Sequence, residues 1–128
     1  MSTLIEDGAV VLFQGDSITD CGRDRDNDLD LGSGYPNMVA AWFSAIYPEK
    51  KVKFINRGIS GDRVKDLAAR WKEDCFDLKP TWVSILIGVN DCWRRYDSND
   101  PTSVDDFASG YRKILTQIRD NLDARIIL

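Results

Sequence analysis

Three short segments of this sequence carry side chains able to do chemistry at neutral pH. The first is Gly15-Asp16-Ser17-Ile18-Thr19-Asp20. A serine on a tight turn behind an apolar run is exposed, and its own backbone N–H can point at a reacting oxygen, the logic of the nucleophile elbow. The segment lacks the GxSxG pattern of that motif, and a serine capping a helix after a glycine turn fits these residues equally well. The second is Asn56-Arg57-Gly58-Ile59-Ser60-Gly61-Asp62, where two glycines in four residues allow a close approach of backbone to ligand. A helix opening there would aim N–H groups at negative charge, although a plain loop with a helix cap explains the residues at least as well. The third is Gly88-Val89-Asn90-Asp91. Asn90 offers an amide donor with no charge to desolvate, which suits an oxyanion hole, while an Asx turn is the ordinary alternative. Each segment is weak alone. All three follow apolar runs, in the order nucleophile, backbone donor, side-chain donor, and that coincidence favours a catalytic site.

One fact of composition stands against it. The 128 residues contain no histidine, the commonest general base near neutral pH. A hydrolase reading therefore needs a base from elsewhere.

Together, GDSIT, NRGISGD and IGVND resemble the first three signature blocks of the SGNH, or GDSL-type, serine hydrolases, with matching spacing from about Val10 to the end of the chain. The resemblance implies that Ser17 is the nucleophile and that its N–H is the first oxyanion donor. It implies that the Gly61 N–H is the second donor and the Asn90 side chain the third. Asp16 and Gly88, their neighbours in the blocks, are expected to contact substrate. The family also carries an Asp-x-x-His pair near its C-terminus, with His as base and Asp orienting it. This sequence has no counterpart. The resemblance further implies an acyl-serine intermediate, a small-molecule ester substrate (acetylated carbohydrates among them), and no metal or organic cofactor. Without the fourth block, little or no turnover is expected of these 128 residues alone.

The elements that must position these segments alternate. Ala9–Gln14 is an apolar run without clean alternation, which suits a strand buried on both faces. Residues 21–33 are polar and irregular. Pro36 opens a helix in which Met38, Val39, Trp42, Phe43 and Ile46 share one face, so Trp42 is expected in the core. Val52–Ile55 is a second strand. Asp62 is a candidate N-cap for a helix with Val64, Leu67, Ala68 and Trp71 on its buried stripe. Trp82–Ile87 is a third strand. Trp93, Arg94, Arg95 and Tyr96 follow Asn90, either as substrate contacts or as a loop packed on the surface. Ser103 and Asp106 resemble a capping box, opening a helix buried through Phe107, Tyr111, Ile114, Leu115, Ile118 and Leu122. Arg125–Leu128 begins a fourth apolar run. The order β-α-β-α-β-α-β predicts a single α/β domain over residues 1–128, a flavodoxin-like three-layer α/β/α sandwich on a parallel sheet with ligands at the strand carboxyl ends. A domain seldom stops inside an apolar strand, so at least one further strand and a closing helix are expected beyond residue 128, and an exposed terminal strand predicts either self-association into a homo-oligomer or instability.

Composition narrows the alternatives. A net charge of -4 argues against a nucleic-acid partner, and no apolar run reaches the length of a membrane span. The N-terminus does not read as a signal peptide, and Cys21, Cys75 and Cys92 suit free thiols in a reducing cytoplasm. A disulfide between Cys21 and Cys92 is disfavoured. Asp24, Asp26, Asp28 and Asp30 alternate as calcium ligands do, but Leu29 and Tyr35 stand where an EF-hand needs Gly and Glu. Two other readings remain: a non-catalytic SGNH-like module that binds acylated ligands, and, ranked last, a nucleotide or phosphate binder using the glycine loops.

Overall fold

The structure is a computed structural model that describes residues 2–128. Strand β1 (Val10–Gly15) lies inside a four-stranded sheet, which explains its unbroken apolar run. β2 (Lys53–Asn56) and β3 (Trp82–Leu86) flank it, and β4 (Arg125–Ile127) pairs with β3. Every pairing is parallel and the order is β2-β1-β3-β4, with Leu12 opposite both Ile55 and Val83. Parallel neighbours need crossovers, and the intervening helices supply them.

The chain turns through α1 (Ser17–Asp20), then α2 (Tyr35–Ile46). α3 (Val64–Ala69) and α4 (Trp71–Asp74) follow β2, α5 (Val89–Asp97) follows β3, and α6 (Val104–Asn121) leads to β4. The Ser103 hydroxyl accepts the Asp106 N–H at 3.0 Å and starts α6 as its sequence indicates. Helices cover both faces, giving the three-layer α/β/α architecture of the SGNH hydrolases. On one face Leu12, Ile55, Val83 and Ile85 pack with Leu67, Trp71, Ile114 and Ile118 from α3, α4 and α6. On the other, Val11, Phe13 and Trp82 meet Tyr35 of α2. That second face is thinner, and Leu86 and Ile127 remain exposed. Among the described residues no helix is long and apolar enough to cross a membrane.

Two expectations need correction, and one alternative is narrowed. Trp42 is 71% exposed, because α2 seats Pro36 and Ala40 against the fold and turns Met38, Trp42 and Ile46 outward. The helix is apolar on more than one side, so its stripe did not reveal which side the sheet would take. Asp62 does not cap α3; Arg63 holds that position, with its N–H bound by Asp66 Oδ2 at 2.8 Å, while Asp62 pairs with Arg70 at 2.9 Å. Trp93, Arg94, Arg95 and Tyr96 lie within the helix α5 that also contains Asn90, not in a loop packed on the surface.

Trp71, by contrast, is 2% exposed, and its indole N–H donates to the Ile114 carbonyl at 3.3 Å. Trp71→Ala is expected to cost about 3–5 kcal/mol in denaturant unfolding, as large core deletions do. Trp42→Ala should change it by about 0.5 kcal/mol or less, as exposed sites do.

Candidate active site

The site is built at the carboxyl ends of β1, β2 and β3. Gly15 ends β1 where no side chain fits: a Cβ there would lie 2.3 Å from Thr19 Oγ1 and 2.5 Å from the Leu86 carbonyl oxygen. Asp16 then caps α1, its Oδ1 accepting the Ile18 N–H at 3.0 Å. Ser17 is the first residue of that short helix and is exposed. A first-turn N–H has no acceptor inside its own helix, so the Ser17 N–H is available to a ligand beside its hydroxyl.

Ser17 and Asn90 line one groove of about 440 Å³, together with Ile18, Val89, Trp93 and Arg94. Asn90 stands in the first turn of α5 and donates one side-chain N–H to the Asp62 carbonyl at 3.0 Å. An amide nitrogen carries two hydrogens, so this bond orients the group and leaves the second N–H for a ligand. Gly61 is not among the residues that line this groove; it neighbours one of them, Arg94, whose Nη2 lies 3.8 Å from where a Cβ on Gly61 would stand. Its φ of +90° belongs to the region that favours glycine.

Two expected substrate contacts fall elsewhere. Asp16 is 1% exposed; its Oδ1 caps α1, while its Oδ2 is buried without a hydrogen-bond partner among the described residues. Gly88 lies against the Phe107 ring and lines a separate pocket with Asp91 and Thr102. The structure gives both residues a place in shaping the turns, and neither lines the Ser17 groove.

The residues that join the three loops were not singled out by sequence. Asn56 is fully buried at the end of β2. Its Nδ2 donates to the Thr19 carbonyl at 2.7 Å and the Leu31 carbonyl at 2.9 Å, and its Oδ1 accepts the Gly58 N–H at 2.8 Å. Asp20 accepts the Ser60 N–H at 3.0 Å, the Ser60 hydroxyl at 3.1 Å and Arg25 at 2.6 Å. Burial alone pushes the Asp20 carboxyl up, but Arg25 and the two Ser60 donors together hold it below its ordinary range. Asp91 Oδ2 accepts the Val64 N–H at 3.1 Å and joins α5 to the start of α3, while burial raises its carboxyl. Arg70 reaches Asp62, Gln14 Oε1 and Asp74, tying the far end of α3 to β1.

The cysteines are free, with Cys21 and Cys92 exposed and the buried Cys75 thiol pushed up to about 12 by desolvation and by Asp74. The acidic loop is occupied with itself and its neighbour: Asp24 and Asp30 accept backbone N–H groups of the same loop, and Asp28 pairs with Arg57 at 2.8 Å.

Residues 13–128 match the family described as GDSL-like lipase/acylhydrolase. The chain belongs to that family. Over 97 residues it is 52% identical to an acetylxylan esterase of Geobacillus stearothermophilus, a match covering 73% of this chain and 44% of that protein. A crystal structure of an acetylxylan esterase from the same organism superposes with a TM-score of 0.91 at 40% identity, covering 98% of this chain and 61% of that one. A protein of Parabacteroides merdae described as a GDSL-like lipase gives 0.92 at 38% identity, covering 95% and 59%. The chain thus spans about half to three-fifths of the length of these relatives. Solved catalytic mutants of the Geobacillus enzyme replace a serine, an aspartate and a histidine, the last two lying three residues apart at positions 191 and 194 of that protein.

Replacing Asn56 with alanine leaves one buried N–H and two carbonyls without their partner, and is expected to cost about 3 kcal/mol in urea unfolding. Asp20 contributes stability above its unfolded pKa, near 3.8, and loses it as pH falls through the lower folded value. Asp20→Asn should therefore melt below the parent at pH 7, and the gap should close below about pH 4.

Proposed function

We propose that the full-length protein is a serine esterase that removes small acyl groups, acetyl foremost, from carbohydrate hydroxyls. The observation that carries this reading is the groove that Ser17 and Asn90 share. Ser17 Oγ bonds to the ester carbonyl carbon while its proton passes to a base. The N–H groups of Ser17 and Gly61 and the free Asn90 N–H face the negative charge that develops on the carbonyl oxygen. Collapse breaks the bond to the sugar oxygen, which leaves with the proton as an alcohol. Water then attacks the acyl-serine by the same route and releases the carboxylic acid.

The base is the missing part. No histidine occurs among these 128 residues. We assign it to an Asp-x-x-His segment outside them, a reading supported by the catalytic aspartate and histidine of the Geobacillus relative. The acetylated-carbohydrate substrate is likewise supported by the names of the relatives. A hydroxyl without an adjacent base is a weak nucleophile, so the 128 residues alone should show little turnover.

The test is hydrolysis of p-nitrophenyl acetate by the full-length protein. Ser17→Ala should reduce kcat by about a thousandfold or more. Asn90→Ala should reduce it by about 10²–10³-fold, the cost of one oxyanion donor. A full-length protein inert on short-chain esters that still binds acylated sugars would replace this reading with a binding module.

A further inference from the structure

α5 places Val89, Cys92, Trp93 and Tyr96 at i, i+3, i+4 and i+7, the spacing of one helical face. That face looks outward: Trp93 is 59% exposed and Tyr96 80%. The four residues line a shelf of about 320 Å³, and none of them carries a charge. The shelf adjoins the Ser17 groove, because Val89 and Trp93 line both. Arg94, in the next position, belongs to the groove and offers guanidinium N–H donors beside the aromatic residues.

Exposed aromatic residues grouped beside a reactive serine need an occupant. A pyranose ring suits them. Its faces present C–H bonds, which are attracted to the negative faces of aromatic rings, and its hydroxyls point sideways to water or to a donor such as Arg94. Arg94 already donates through Nη1 to Asp97, which fixes its guanidinium beside the shelf and, among the described residues, leaves Nη2 without a protein acceptor for a sugar hydroxyl to meet. A phosphorylated or carboxylated group would find no charge on the shelf itself. We infer that Trp93 and Tyr96 form a sugar-binding platform that holds the carbohydrate side of the ester while Ser17 attacks its acyl carbon. This rests on the serine-esterase reading for its catalytic consequence, and on the shelf alone for binding.

The full-length protein and its Trp93→Ala, Trp93→Phe and Tyr96→Ala variants should be compared on an acetylated xylo-oligosaccharide and on ethyl acetate, which has no ring to stack. The platform predicts that Trp93→Ala loses roughly tenfold more kcat/KM on the sugar ester than on ethyl acetate, mostly through KM. Trp93→Phe should recover most of the loss, and Tyr96→Ala should show the same selectivity more weakly. Equal losses on both esters, or none, would overturn the platform. So would a lowered melting temperature that accounts for the loss, since that marks internal packing. If the parent hydrolyses neither ester, the Ser17 reading fails separately. Calorimetric titration with the unacetylated xylo-oligosaccharide then decides the platform: binding to the parent that Trp93→Ala weakens about tenfold sustains it, and equal or absent binding sinks it.

Discussion

The arrangement of the site depends on one buried side chain. Asn56 sits where β2 ends, and its amide reaches the turn after β1, the irregular loop at Leu31, and the glycine loop that follows it. An amide is suited to this work because it donates twice and accepts with the other end, so one group satisfies two carbonyls and one N–H without burying charge. Strand pairing sets the heights at which β1 and β2 end, and Asn56 converts that register into a fixed distance between the Ser17 turn and the Gly61 loop. Asp20 and Ser60 make a second bridge across the same gap. Asn90 and Asp91 make the third, binding α5 to Asp62 and Val64.

This layout gives a division of labour. Ser17 and Asn90 face a groove, while Asn56, Asp20 and Asp91 lie beneath it and hold the loops together. The polar network extends through Arg70, which bridges Asp62, Asp74 and Gln14 near the carboxyl end of β1. Ser17 and Asn90 stand at helix starts, and the turns that present them are bound by buried hydrogen bonds whose partners would be costly to strand. Such a base lets donors wait in position for charge that appears only during reaction.

The two faces of the sheet are unequal. α3, α4 and α6 bury one thoroughly, with Trp71, Leu67, Ile114 and Ile118 at its centre. On the other, α2 covers Val11 and Phe13 but leaves Leu86 and Ile127 exposed, and its own Met38 and Trp42 face outward. α5 exposes a third apolar surface, directly beside the Ser17 groove. The first two lie on the thin side of the fold; the third shares Val89 and Trp93 with the Ser17 groove.

Much was legible in the sequence because it is local. The apolar runs of β1 and β3, the Ser103 cap and the stripe of α6 are set by neighbours within a few residues, so continuous apolar runs, helical periodicity and capping reveal them directly. The three motifs were legible for the same reason: each is a short turn placed immediately after a strand. Tertiary structure decided what depends on distant partners. Trp42 and Trp71 both lie on apolar helical stripes, and only packing shows that the sheet takes Trp71 and leaves Trp42 in solvent. Asp16 and Gly88 stand inside the motifs, yet their surroundings turn them toward a helix cap and Phe107. Asn56 carries no local sign of its role, because its partners lie up to 37 residues away. Spacing along the chain reports which face a residue shares; which face is covered, and by what, is set by the closure of the sheet.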